Sequence, residues 1–539
     1  MAGSNFSRLK SFSDLLEKCG RCGDCTYAVK VSTARKHVYK PCPVYNVLGF
    51  ETYSAKGRII ILQSLLEGKI KPDDRLLEWA YLCLTCGNCK ETCLAVEGGI
   101  DIPSIIEALR EDLVSAGMHL EKHLEIRDKA LRNYNPYGEP HDQRFSFLNV
   151  SLPKEADIVY FVGCTSAYRR QEIAKATVAL LEKASVDFTI LEDERCCGST
   201  LFRLGYRDDA MKLAEHNVSM LEKTGAKTVI FSCAGCYRTF KKDYAPLEPN
   251  FQVLHVSEFL KELVDKGKLH FYASKPVRVT YHDPCHLGRH TGIYEEPRSL
   301  IRQIGNVELV EMITNRNYAH CCGAGSGVKG TFPEMAVKIA KQRIEEATLT
   351  GAEILLSTCP FCKTNLADAS DGIAVLDLTE FLLQNITEEP VEAEVKAPSP
   401  EEALAETFKN YLNQHPEIFE DLVEGATMDF AIYDSIDAFE NEEKPVSVFN
   451  VVRTGNGIKI SNGRANAPDM EIAFSEKAVE KLVKSKSRQS YAKLFGTFYN
   501  EPTEEEWIDF QLYKRTRALI NMGYGKFAEE AGVLREDEY

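Results

Sequence analysis

The stretch "HCCGAGSG" (His320–Gly327) places two cysteines side by side, and "ERCCGST" (Glu194–Thr200) has the same arrangement earlier in the chain. The side chains of neighbouring cysteines diverge, and a disulfide between them would be strained. One metal ion therefore seldom takes both sulfurs, whereas different iron atoms of a polynuclear cluster can. The paired cysteines thus predict either an unusual iron–sulfur cluster at each site or a redox-active thiol.

Each cysteine pair belongs to a set of five, and the two sets form a tandem repeat. Flanking segments repeat as well: "TVIFSCAGC" (228–236) parallels "EILLSTCPFC" (353–362), and "VLHVSEFL" (253–260) parallels "VLDLTEFL" (375–382). Because reducing compartments keep thiols free, cysteines at this density indicate metal binding or catalysis. The sets are Cys164, Cys196, Cys197, Cys233 and Cys236, and Cys285, Cys321, Cys322, Cys359 and Cys362.

Strands alternate with helices in both repeats. The segments 156–164, 227–233, 277–285 and 352–359 are predicted as buried strands that end at cysteines, and amphipathic helices separate them. This alternation predicts parallel sheets. Open α/β sheets bind ligands at the carboxyl ends of their strands, so both sets of cysteines are expected there.

The N-terminal cysteines form two runs of C-x2-C-x2-C, each with a fourth cysteine downstream. The second run, "CLTCGNCKETC" (83–93), matches the signature of two-cluster bacterial ferredoxins, in which the fourth cysteine ligates the other cluster. Leu94 stands where that signature has proline. Zinc is the alternative metal for such spacings, but zinc sites do not need a third cysteine in each run. The signature predicts one cubane 4Fe–4S cluster on Cys19, Cys22, Cys25 and Cys93, and another on Cys83, Cys86, Cys89 and Cys42.

The predicted fold is multidomain. The segment 55–70 between the two cysteine runs has helical periodicity, which predicts an all-α ferredoxin-like module at residues 1–150. Tandem α/β cysteine-rich domains with parallel sheets follow at 151–272 and 273–386, then an acidic, proline-rich linker at 387–402. A C-terminal α+β domain at 403–539 is expected to have strands at 428–436, 445–465 and 469–475, and helices at 476–485 and 504–522.

The double motif resembles the cysteine-rich domains of heterodisulfide reductases, and the preceding ferredoxin-like module is similar to the D-subunit type of that enzyme. The resemblance covers roughly residues 10 to 385. It implies that each five-cysteine set holds a non-cubane 4Fe–4S cluster. It also implies that the two clusters face one cavity, where a disulfide is split into two thiols. "GNGIKISNGRANAPDMEIAFSEKAVEKL" (455–482) resembles sterol-carrier-protein-type domains, which implies an acyl or lipid ligand; a domain that only docks a partner is the alternative.

Four further residues are candidates for the catalytic site through the same resemblance. "YHDPCHLGRH" (281–290) contributes His282, His286 and Arg289, which would face the cavity as acid or anion-binding groups. His320 precedes the second cysteine pair. The alternative is that these side chains only orient their loops by hydrogen bonds.

Composition limits the partners. The net charge of −15 argues against nucleic acid, and the chain has no apolar run long enough to span a bilayer. The N-terminus lacks the apolar core of a signal peptide, so a cytoplasmic location is expected, with peripheral attachment at the inner membrane face through a partner. A basic run, Lys30 to Lys40, is expected to be a solvated face, a docking patch or an electropositive cover over an anionic cofactor.

Two functions fit these features. The first is a disulfide reductase-like oxidoreductase that receives electrons from a flavoprotein, an electron-transfer flavoprotein or a membrane cytochrome subunit. The second is a non-catalytic subunit that passes electrons from a flavoprotein dehydrogenase towards quinone. The sequence contains no recognisable flavin or nicotinamide site, so electrons are expected to arrive from another protein, at the cubane clusters.

Overall fold

The computed structural model describes residues 6–28, 39–150, 152–389, 400–440, 445–455, 457–465, 468–513 and 516–533. It divides into two compact units, one within residues 6–389 and one from residue 400 onward. Residues 30–38 of the basic run and most of the predicted linker lie outside the described residues. None of the helices in the described part of the chain has the length and apolar composition that a membrane crossing needs.

The described part of the first 150 residues (6–28 and 39–150) is built from helices, together with one isolated β-bridge between Ala28 and Tyr39. Ser54, Asp73 and Asp101 cap helices by accepting backbone N–H groups, as short polar side chains at N-caps do. The α-helices are Ser7–Lys10, Ser13–Glu17, Pro43–Leu48, Ala55–Leu66, Asp74–Tyr81, Asn88–Glu91, Ile102–Ser115 and Glu121–Arg132.

The first cysteine-rich repeat contains a four-stranded parallel sheet, ordered Thr189–Ile190, Ile158–Phe161, Thr228–Phe231, Gln252–His255. Residues alternate between two cores: Val159 and Phe161 face the cysteine side, whereas Tyr160 faces the opposite side. A parallel sheet covered on both faces needs such apolar strands. The α-helices are Cys164–Tyr168, Gln171–Lys183, Ser199–Leu204, Arg207–Lys223, Ala234–Arg238 and Val256–Asp265.

The second repeat has the same arrangement, with parallel strands ordered Gly305–Leu309, His270–His282, Ile354–Ser357, Ala374–Asp377. The strand Ile386–Thr387 pairs antiparallel with the start of His270–His282. Because that strand begins at His270, the second sheet includes three residues that the sequence assigns to the first repeat. The α-helices are Glu295–Arg302, Val328–Thr331, Pro333–Leu349, Pro360–Ala369 and Leu378–Gln384.

The C-terminal unit is a five-stranded mixed sheet ordered Gly457–Asn462, Ser447–Thr454, Thr427–Tyr433, Met470–Ser475, Ile508–Leu512. The two strands Thr427–Tyr433 and Met470–Ser475 run parallel, and the other pairs are antiparallel. Residues 504–522 were expected to form one helix, and that prediction is wrong. Ile508–Leu512 is a strand because it pairs with Met470–Ser475, and among the described residues of this segment the helix is Thr516–Asn521. The other α-helices are Pro400–Gln414, Ile436–Glu440, Glu476–Leu482, Arg488–Asn500 and Tyr524–Glu530.

Candidate metal centres

The eight N-terminal cysteines line two neighbouring pockets. One pocket is lined by Cys19, Cys22, Cys25 and Cys93, and the other by Cys42, Cys83 and Cys86, while Cys89 borders both. Each pocket thus combines three cysteines of one run with the last cysteine of the other run. This is the grouping that the ferredoxin signature predicts for its ligands.

The thiols of these pockets sit in contrasting surroundings. Burial raises the pKa of Cys25 to about 11 and that of Cys42 to about 12, whereas Cys22 is exposed. The backbone N–H of Lys56 donates to the sulfur of Cys25 at 3.2 Å. Buried thiols of this kind are neutral at pH 7 unless a cation stabilises their thiolates, and a cluster iron would supply that charge.

The two five-cysteine sets meet in the interior. Within each set the thiols lie close enough to shift one another's pKa: Cys196 and Cys236 lower the pKa of Cys197 to about 6, and Cys321 and Cys362 lower that of Cys322. Across the sets, contact with Cys233 raises the pKa of Cys359 to about 12. The Cys321 thiol in turn lowers the pKa of Cys86, in the N-terminal pockets, to about 6. Sulfurs from all three modules therefore form one continuous array.

Strand ends and helix starts position these sulfurs. Cys164 follows the strand Ile158–Phe161 through Gly163, and Cys233 and Cys359 are the N-caps of the helices Ala234–Arg238 and Pro360–Ala369. Backbone N–H groups at helix starts favour negative charge. The repeated topology thus brings both sets of thiols to the carboxyl ends of the two sheets.

Glycine leaves room beside the first set. A Cβ at Gly163 would lie 3.2 Å from the Cys236 sulfur, and the φ of this residue is +78°. A Cβ at Gly235 would lie 3.6 Å from the Cys233 sulfur and 3.7 Å from Nδ1 of His286. Glycine thus lets the backbone approach these sulfurs closely, and the density of buried thiols suits a polynuclear iron–sulfur cluster.

A buried guanidinium contacts the first set. Nη2 of Arg144 lies 3.5 Å from the Cys164 sulfur, and its guanidinium also forms an ion pair with Glu194. Glu194 in turn accepts the backbone N–H groups of Val162 and Gly163. Arg144 and Glu194 are fully buried, so the ion pair holds the guanidinium in place at this sulfur.

Of the predicted histidines, His282 is grouped with two cysteines of the second set. One of its ring nitrogens and the sulfurs of Cys322 and Cys362 lie within 4.8 Å of one another, and all three residues are buried. Nε of Arg343 donates to its Nδ1 at 3.2 Å.

His286 and Arg289 lie at the junctions of the array. Burial, followed by the charge of Arg203, lowers the pKa of His286 to about 3, and its ring packs edge-on against His290. Arg289 donates to the backbone oxygen of Cys86 at 2.8 Å and to that of Asn317 at 3.2 Å. Its Nη2 has no hydrogen-bond partner among the described residues.

His320 is placed differently from the other candidates. Its Nδ1 pairs with Glu346, its Nε2 contacts the Lys40 backbone oxygen at 3.0 Å, and the ring stacks on Tyr39. Both nitrogens are therefore engaged within the protein. These contacts correspond to the alternative in which the side chain orients its loop.

Comparison with known proteins gives the same modules. Residues 15–95 match the model of a 4Fe-4S dicluster domain, and residues 158–241 and 279–367 match that of a cysteine-rich domain. The D subunit of dihydromethanophenazine:CoB–CoM heterodisulfide reductase from Methanosarcina mazei is 38% identical over 392 residues, which span 69% of this chain and 93% of that protein. This chain belongs to the heterodisulfide reductase D-subunit family.

Other relatives of this heterodisulfide reductase family member carry different names. The B subunit of fumarate reductase (CoM/CoB) from Methanothermobacter marburgensis is 33% identical over 57% of this chain and 61% of that protein. The EtfAB:quinone oxidoreductase of Syntrophomonas wolfei is 32% identical over 57% of this chain and 46% of that protein. The chain is thus an iron–sulfur protein of an oxidoreductase family whose members have several roles.

Sequence reasoning missed two residues of this heterodisulfide reductase-type site. Arg144 lies 20 positions before Cys164, and Arg343 lies in the middle of the helix Pro333–Leu349. Neither belongs to a cysteine motif. Comparison of the two repeats offers a signal for Arg343, because Asn217 holds the same position in the matching helix Arg207–Lys223.

Proposed function

We propose that this chain is the disulfide-reducing subunit of an electron-transfer complex. Two cubane 4Fe–4S clusters would be held by the N-terminal pockets and two non-cubane 4Fe–4S clusters by the five-cysteine sets, with the cysteines grouped as the sequence predicts. When bound, these clusters would supply the one-electron transfers that open a disulfide. An electron-donor protein would deliver the electrons.

The continuity of the sulfur array carries this proposal. Cys89 borders both N-terminal pockets, Cys86 contacts Cys321, and Cys359 contacts Cys233. These contacts give an ordered route from the N-terminal pockets to the second set and then to the first. The meeting of Cys233 and Cys359 also supports a substrate disulfide bound between the repeats, with one sulfur towards each set.

The polar groups at this junction suit an anionic substrate. His286 lies with Cys233 beside Gly235, where its uncharged ring would orient a substrate sulfur by a hydrogen bond. Arg289 is a buried cation whose pKa is raised by the nearby sulfurs of Cys86, Cys285 and Cys321. A buried cation costs free energy unless negative charge lies near it, so Arg289 suits thiolates that bind a cluster, or a negatively charged ligand beside them.

The second candidate is electron transfer towards quinone without disulfide chemistry. The similarity to the EtfAB:quinone oxidoreductase favours it. In this version an electron-transfer flavoprotein would reduce the N-terminal clusters, and the cysteine-rich repeats would pass electrons on.

For the C-terminal unit we propose either lipid binding or docking of a partner. Its core is filled by aromatic side chains such as Phe408, Phe430 and Phe474, whose rings pack 5.3–5.8 Å apart. An acyl chain would have to displace some of these rings. That packing therefore favours docking.

The test uses anaerobically purified full-length protein. Iron is quantified, the protein is reduced with a low-potential donor, and heterodisulfides are added while released thiols and the electron paramagnetic resonance (EPR) spectrum are followed. We expect thiol release and a signal that depends on the disulfide. Rapid oxidation by a quinone analogue, with no thiol release from any disulfide, would support the second candidate instead.

A pair of variants sharpens this test. His286→Phe should lower thiol release at least tenfold, because it removes the polar group facing Cys233. His216→Phe is the matched control, since His216 lies in the first repeat and bonds to the backbone of Asp193. Equal effects of the two variants would argue against a role for His286 at the substrate.

A further inference from the structure

His282 and Arg343 form a buried pair at the second five-cysteine set. Both are fully buried, and Nε of Arg343 donates to Nδ1 of His282 at 3.2 Å. Arg343 also pairs with Glu346, and it donates to the backbone and hydroxyl oxygens of Thr314 at 2.8 Å each. Because these contacts hold the guanidinium in place, its hydrogen bond fixes the orientation of the imidazole ring.

This hydrogen bond determines the tautomer of the ring. A guanidinium can only donate, so Nδ1 must be an acceptor without a proton. The neutral ring then carries its proton on Nε2. Nε2 is buried and has no hydrogen-bond partner among the described residues, while a ring nitrogen of His282 and the sulfurs of Cys322 and Cys362 lie within 4.8 Å of one another.

The same hydrogen bond argues against His282 as an iron ligand. A histidine that binds a metal donates its other N–H to a carboxylate, a backbone carbonyl or water. Here the other nitrogen accepts a hydrogen bond from a cation instead. His282, Cys322 and Cys362 lie within 4.8 Å of one another and resemble a metal site. The hydrogen bond at Nδ1 nevertheless runs in the opposite direction from the one that a ligating histidine makes.

The first repeat lacks both members of the pair. Phe161 stands three residues before Cys164, just as His282 stands three residues before Cys285. Asn217 takes the place of Arg343 and binds the backbone oxygens of Arg195 and Cys196. The two sets of cysteines are thus supported by different chemistry, although their spacing repeats.

We propose that Arg343 fixes His282 as an N–H donor to the sulfurs of the second set, so that only the second cluster receives this hydrogen bond. The inference rests on the proposed function, since it requires a cluster at these cysteines. A reduced cluster carries one more negative charge than an oxidised one, and hydrogen bonds to its sulfurs therefore raise its reduction potential. Arg343 acts as a positioning residue in this arrangement.

Two variants that copy the first repeat test the proposal in the full-length, iron-loaded protein. His282→Phe should lower the ratio of reduced to oxidised second cluster about tenfold at a fixed potential, a shift of 59 mV for a one-electron couple. Arg343→Asn should lower the same ratio by a smaller factor, since His282 remains. His282→Gln keeps an N–H donor and should restore part of the shift. Potentials are measured by redox titration followed by EPR.

Pulsed EPR in H2O and D2O identifies the contact itself. We expect a coupled exchangeable proton in the wild type that is lost in His282→Phe, and no strongly coupled nitrogen. A strongly coupled nitrogen, or an unchanged potential in a His282→Phe protein with full iron content, would overturn the proposal. If His282→Phe does not fold, the shift in Arg343→Asn decides the question. A wild-type protein without iron would instead contradict the proposed function.

Discussion

At the scale of single residues, Arg144 and Glu194 show how a buried charge pair supports a cluster site. The guanidinium contacts the Cys164 sulfur, while Glu194 ties it to the backbone N–H groups that precede this cysteine. A buried pair adds little net stability compared with apolar residues, but removing one partner leaves the other charge unpaired. The pair therefore holds the geometry of the Cys164 loop.

Arg144→Met should lower the free energy of unfolding by about 3–5 kcal/mol, because Glu194 is left buried without its partner. Adding Glu194→Gln should recover part of this loss. Arg169→Met is the control: its pair with Glu139 is exposed, and such pairs are worth about 0–1 kcal/mol. Anaerobic denaturant unfolding measures all three. Similar losses for Arg144→Met and Arg169→Met would contradict this account.

At the scale of elements, the two repeats share a helix cap with different chemistry. His255 and Asp377 are N-caps of the helices Val256–Asp265 and Leu378–Gln384, each in a capping box with a glutamate. Burial lowers the pKa of His255 to about 3 and raises the pKa of Asp377 to about 7. Both caps are therefore driven towards their uncharged forms. His255 also contacts the Thr358 backbone oxygen next to Cys359.

The pKa of Asp377 predicts how stability depends on pH. Its folded-state pKa lies above the usual aspartate value, so its contribution is fully present below about pH 4 and is lost as pH rises through 7. Asp377→Asn should flatten the fall in Tm between pH 5 and 8, because asparagine caps helices without ionising. At the exposed N-cap Asp73, the hydrogen bond from the Leu76 backbone lowers the pKa of the carboxyl group. Asp73→Asn should therefore leave the pH dependence of Tm between pH 5 and 8 unchanged. Parallel Tm curves for wild type and Asp377→Asn would contradict the prediction.

Much of the site was predictable because the spacing of the cysteines can be read directly from the sequence. The strand–cysteine–helix pattern placed both five-cysteine sets at sheet ends, where the structure brings them together. Arg144 and Arg343 were not predictable, since each reaches its partner through tertiary packing. Residues 508–512 were predicted as helix for a related reason: their strand form depends on pairing with Met470–Ser475, and strand preference is set by such neighbours.

At the scale of the whole molecule, one buried arginine joins the modules of the first unit. Arg110, in the helix Ile102–Ser115, donates to the backbone oxygens of Cys83 and Arg203 at 2.6 and 2.7 Å, and to the hydroxyl of Ser326 at 2.8 Å. The N-terminal pockets are thereby fixed against both repeats. The distance over which electrons would pass depends on this contact.

Two glycine substitutions test the importance of that contact. Gly205 has a φ of +91°, and an added Cβ would lie 2.6 Å from the Arg110 backbone; Gly225 has a φ of +72° and open space around it. Gly225→Ala should cost about 1–2 kcal/mol from the left-handed backbone alone. Gly205→Ala should cost more and should also slow the reduction of the repeats by the donor in stopped-flow experiments. Equal losses of unfolding free energy in the two variants, with equal rates of reduction of the repeats, would show that the contact is unimportant.

The exposure of Cys22 affects how the protein reacts with oxygen. Among the cysteines of the described chain it is the exposed one, and oxidation of thiols follows their accessibility. Damage by oxygen should therefore start at the outermost pocket and reach the interior last. A briefly aerated sample would lose the ability to accept electrons from its protein partner first. Small artificial donors that bypass that pocket would still reduce the interior, so the choice of assay decides whether such a preparation looks inactive.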